Sequence, residues 1–128
     1  MLNFNGIYFY DVDRNGLGLN AFRFFEDGKV VKVGLNLTRK YKNLSNLATY
    51  IETWFNKEYV NYGKYSVQEN KITFTINFER GMVIDYEGIV LDKILLLKWQ
   101  ENINANYKII EDEYYFIPFN KTKAKTGT

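Results

Sequence analysis

The chain has 128 residues, which suits one domain large enough to bury a core without staples. Apolar residues make up 46% and aromatics 18%, so the composition is that of a globular, aromatic-rich β protein and excludes disorder. Cysteine and histidine are both absent and 17 basic residues face 15 acidic ones, which excludes disulfides, thiol catalysis and Cys/His zinc sites, removes the usual neutral-pH base, and gives no case for a polyanion partner.

In chain order, Gly6 to Val12 reads as a strand, "GIYFYDV". "LGLNAFRFF", Leu17 to Phe25, is the second. Glu26-Asp27-Gly28 turns it into "KVVKVGLNL", Lys29 to Leu37, where Val31, Val33, Leu35 and Leu37 share one face. Then the period changes. In "NLSNLATYIETWFNKEYV", Asn43 to Val60, Leu44, Leu47, Ala48, Ile51, Trp54 and Phe55 stand at helical spacing. This predicts an amphipathic helix of about three to four turns, capped by Asn43 or Ser45. Its apolar stripe must cover something: a mouth of the fold or its side.

"GKYSVQ", a turn at Glu69-Asn70, and "ITFTINF" form a hairpin. Ile72, Phe74, Ile76 and Phe78 alternate with Thr73, Thr75 and Asn77, the clearest strand pattern in the chain. Glu79-Arg80-Gly81 turns into "MVIDYEGIV", Met82 to Val90, and Leu91-Asp92 into "KILLLKW", Lys93 to Trp99. "QENINAN" reads as a polar loop before "YYFIPF", Tyr114 to Phe119, whose strand starts either there or within Tyr107 to Ile110. The tail, 120–128, is polar and aperiodic, and is expected to fray beyond a single domain spanning 1–119.

Eight strands joined mostly by short turns are antiparallel neighbours. A meander of that length hides its edges by closing. The expectation is a mainly β fold: an antiparallel up-and-down eight-stranded β-barrel, with one helix inserted between strands 3 and 4.

"GIYFY", the hairpin "GKYSVQENKITFTI", "YEGIV" followed by "ILLLKW", and the closing "YYFIP" resemble the lipocalin-like (calycin) barrels of small bacterial proteins, over residues 6 to 118. Gly6 stands two before Tyr8, where the lipocalin opening has Trp. The resemblance implies a non-enzymatic barrel that binds a small hydrophobic molecule in its interior. Two other readings stand beside it. One is a protein-interaction module with a solid core. The other is an OB-like barrel binding single-stranded nucleic acid, which fits less well because five strands follow the helix here.

Each candidate residue also has a plainer role. "DVDRNG", Asp11 to Gly16, has the opening of a calcium loop, but its twelfth position is Phe22, which offers no oxygen; a hairpin turn is the simpler reading. Arg23 either enters the barrel and meets a ligand carboxylate, or points out to solvent if Phe22 and Phe24 point in. Tyr65, Phe74, Tyr86 and Trp99, with Trp54, are large enough to line a cavity or to fill it. Asp85 and Glu87 read as the wet face of a strand whose inner face is Ile84 and Tyr86. The basic clusters Arg39 to Lys42 and Lys121, Lys123 and Lys125 read as a loop and a solubilising tail. No metal or cofactor is expected, a nucleic-acid partner is not favoured, and a protein partner remains open. No stretch is long and apolar enough to span a membrane and no leader is visible, so the chain reads as cytoplasmic or as the mature part of an exported protein.

Overall fold

The computed structural model describes residues 1–12, 18–36, 43–54, 61–78, 81–103 and 106–119. Eight strands close into one antiparallel barrel in sequence order: β1 (Gly6–Asp11), β2 (Gly18–Phe24), β3 (Lys29–Asn36), β4 (Asn61–Gln68), β5 (Lys71–Asn77), β6 (Val83–Val90), β7 (Ile94–Ile103) and β8 (Asn106–Pro118). Closure comes from β1 pairing with β8, with Tyr8 opposite Phe116. The helix α1 (Leu44–Trp54) lies between β3 and β4.

Antiparallel partners share a face, so register decides what points inward. Cross-strand rows run Tyr65–Phe74–Tyr86–Trp99 and Val30–Gly63–Ile76–Ile84 around the interior. Phe22 lies at the centre. Its ring is 5.3 Å from Phe74, 5.4 Å from Tyr86 and 5.2 Å from Tyr114, so side chains from β2, β5, β6 and β8 meet across the lumen. Each such edge-on or tilted pair adds roughly 0.5–1.5 kcal/mol beyond the area it buries. At this level the barrel is filled.

Two glycines face the interior where backbones crowd. A Cβ on Gly63 would lie 1.7 Å from the Thr75 carbonyl oxygen, and one on Gly88 would lie 2.2 Å from that of Leu96. These close approaches let the sheet bend sharply enough to close.

One end is sealed by the N-terminal segment. Leu2 is buried in the interior cluster with Phe4 packed against it. The Asn3 amide and side chain both donate to the Tyr8 hydroxyl, at 3.0 and 3.1 Å, and the side chain also reaches the Asp92 carbonyl at 3.0 Å. The opposite end, where β1, β3, β5 and β7 finish, is the mouth.

The helix packs on the side of the barrel. Leu47, Ala48 and Ile51 cover the outer face made by Ile7, Leu19, Ala21, Val31, Val33 and Ile117. Asn43 is the cap: its side-chain oxygen accepts from the Asn46 amide at 3.0 Å. Leu44 is half exposed and does not join the buried stripe. β2 and β3 are therefore covered on both faces, which is why their sequences lack clean alternation.

The last hairpin is longer than its sequence suggests. Ile103 pairs with Asn106, so most of "QENINAN" is strand and β8 runs thirteen residues. Polar text concealed it, because strand periodicity shows only where one face is apolar. The turn at Asn15-Gly16 and the tail beyond Phe119 lie outside the described residues, as does the side chain of Trp54.

Candidate functional site at the barrel mouth

Above the Phe22 layer the inward residues turn polar. Tyr10 pairs with Asn20, and the two share the inner face. The Tyr10 hydroxyl donates to the Asp112 carboxylate, and the Asn20 side chain donates to the Tyr114 hydroxyl. The rings of Tyr10 and Tyr114 lie 5.7 Å apart. Trp99 leans on Tyr86 at 5.5 Å, and Tyr86 stacks on Phe74 at 4.8 Å. Tyr86 and Tyr114 are buried, while Tyr10, Asn20, Trp99 and Asp112 are half-buried. The result is an aromatic floor under a ring of amphipathic side chains.

Burial sets the electrostatics. It pushes the Tyr86 and Tyr114 phenols well above the ordinary tyrosine range, and it also raises the Asp112 carboxyl, a shift that the Tyr10 hydrogen bond partly offsets. Lys32 belongs to the same inner face, since it pairs with Phe22 on one side and Asn61 on the other. Its Nζ lies 5.4 Å from the centre of the Phe78 ring, and burial lowers its pKa.

The five residues singled out in the sequence are not together. Phe74 and Tyr86 form the floor and Trp99 stands at the mouth. Tyr65 faces inward nearer the sealed end, where its hydroxyl donates to the Phe25 carbonyl at 2.6 Å. Arg23 is outside the barrel: Phe22 and Phe24 point in, and Arg23 points out beneath the edge of α1. It is not the solvated arginine expected for that register. Its Nη1 contacts Glu52 at 3.1 Å, and its guanidinium lies 4.6 Å from the Phe25 ring centre and 4.7 Å from that of Phe119.

Sequence reasoning passed over Tyr10, Asn20, Asp112 and Lys32. A signal existed in "KVVKV": if Val31 and Val33 face the helix, Lys32 must face the lumen. Asp85 and Glu87 do lie on the outer face, where Thr75 donates to Asp85. Two open concavities, of about 590 and 650 Å³, lie on this outer surface around Thr73, Glu87 and Lys98. The described residues include no group of three or more acidic side chains placed to hold a metal, and no helix among them is long and apolar enough to cross a membrane.

Neither a family model, nor a curated protein, nor a solved structure matches this chain.

Proposed function

We propose that this protein is a non-enzymatic, lipocalin-like binding barrel that holds a small, mainly apolar molecule at its mouth. The observation that carries this reading is the change of layer above Phe22. Rings that touch across the lumen leave no room at that depth, yet the layer above is a half-buried mixture of Trp99, Tyr10, Asn20 and Asp112. Ligand sites are commonly apolar concavities with a few convergent polar groups, and barrel mouths are among their usual places. A rigid aromatic floor also costs little entropy to bind against.

The test is saturable binding of N-phenyl-1-naphthylamine, a neutral aromatic probe, followed by its fluorescence. Trp99→Ala is expected to weaken binding about tenfold, in line with loss of one aromatic contact. Tyr65→Phe, near the sealed end, is expected to leave it unchanged. Native mass spectrometry of protein from its own host gives a second readout. A retained small molecule supports the proposal. A retained polypeptide, with no probe binding, would instead favour the solid barrel as a protein-interaction module.

A further inference from the structure

We propose that the molecule taken at the mouth is an organic anion, whose carboxylate or sulfonate pairs with Lys32 while its apolar body lies on the aromatic floor. This deepens the binding reading above and rests on it.

Lys32 occupies a position where the fold would favour an apolar residue. Its neighbours along the inner face of β3 and β2 are Val30, Phe22 and Phe24, all fully buried. Val30, two residues earlier, shows what the lumen ordinarily takes. The ammonium is instead drawn in beside the Phe78 ring, and among the described residues no carboxylate pairs with it. Asp112, a carboxyl on the inner face of β8, already receives the Tyr10 hydroxyl. A desolvated charge without a counter-charge costs stability, and a bound anion would offset that cost. Residues that lower stability in the free protein and serve only when a ligand arrives are a recurrent feature of binding sites.

The ligand chemistry follows from the surroundings. A phosphate-like dianion would want several cations or amides, and among the described residues the mouth layer offers one lysine beside phenols and an indole. A single negative charge on an aromatic or aliphatic body suits it better, with the cation and ring faces both used.

The experiment compares 1-anilinonaphthalene-8-sulfonate with N-phenyl-1-naphthylamine on the full chain; the two probes share a skeleton and differ by the sulfonate. The sulfonate is expected to bind about tenfold more tightly, as one desolvated ion pair allows. Lys32→Met should abolish the anion's preference, bringing its affinity to that of the neutral probe measured on the same variant. Lys32→Arg should keep the preference. Arg23→Gln, which removes a cation outside the barrel, should leave it intact and so excludes surface binding. Added NaCl should weaken the anion selectively, which tests the wild-type chain without any variant. Equal affinities for both probes in the wild-type chain, or an anion preference that survives Lys32→Met, overturn the anion proposal and leave the mouth reading standing. Failure of both probes to bind overturns both.

Discussion

Arg23 on β2 and Glu52 on α1 form an ion pair of 3.1 Å across the outside of the barrel. The arginine is one-fifth exposed and the glutamate about one-third, so the pair is partly screened. Phe25 and Phe119 flank the guanidinium and contribute cation–π contact. A double-mutant cycle with Arg23→Ala and Glu52→Ala is expected to give a coupling of about 0.5–1 kcal/mol in denaturant unfolding. Arg23→Lys should not restore it fully, because an ammonium cannot lie flat between two rings. A coupling near zero would mean the helix is held by Leu47, Ala48 and Ile51 alone.

Gly63 is a closure point. Gly63→Ala puts a methyl group against the Thr75 carbonyl, backbone against which nothing flexible can yield. The variant is expected to lose about 3 kcal/mol or more, or to fail to close, by overpacking against rigid backbone. Loss of cooperativity in thermal unfolding would reveal the second outcome. A variant as stable as the wild type would show that β4 and β5 are farther apart there.

The turn between β4 and β5 carries a correctable cost. Gln68 pairs with Lys71, leaving Glu69-Asn70 as a two-residue loop, and Glu69 has φ of 58°. A hairpin turn with positive φ at its first central residue favours glycine there. Glu69→Gly should raise stability by about 0.5–1 kcal/mol, since relief of the left-handed strain outweighs the extra chain entropy. Chemical denaturation measures this directly; a loss of stability would refute the strain.

Alkaline titration should separate buried phenols from the rest. Tyr86 and Tyr114 have raised folded-state pKa values, chiefly because burial disfavours the phenolate. Unfolded, they lose protons near 10.0. The folded state then holds more protons, so the stability they contribute is intact below that pH and falls as pH rises above it. Lys32 acts with the opposite sign. Burial lowers its pKa below 10.5, so the folded state holds fewer protons there and its contribution rises with pH up to that value. Absorbance of ionised tyrosine is expected to appear first from exposed phenols, with Tyr86 and Tyr114 joining only in a late, cooperative step that coincides with loss of near-ultraviolet circular dichroism. Early ionisation of all phenols, without unfolding, would contradict the buried floor. Lys32→Met should flatten the rise in stability below pH 10.5.

Much of this architecture is written locally. "ITFTINF" alternates because Ile72, Phe74 and Ile76 are covered and Thr73 is wet. Asn43 caps a helix because its side chain can reach the next turn's amides. Turn residues, strand count, antiparallel order and the inserted helix all follow from such short-range chemistry. The abundance of Phe and Tyr also foretold a core crowded with rings.

What periodicity cannot say is which of two faces is inside. That is decided by Tyr8 meeting Phe116, more than a hundred residues apart in the chain, and by where the helix settles. Once α1 covers Val31 and Val33, the apolar face of β3 is the outer one, and Lys32 is left to the lumen. The same choice puts Phe22 at the centre and Arg23 against Glu52. Local sequence determined the strands, the turns and the helix, because those depend on neighbours a few residues away. Closure and helix docking decided the mouth, the filled lumen and the half-buried, inward lysine, because burial is a property of the whole barrel and not of any one strand.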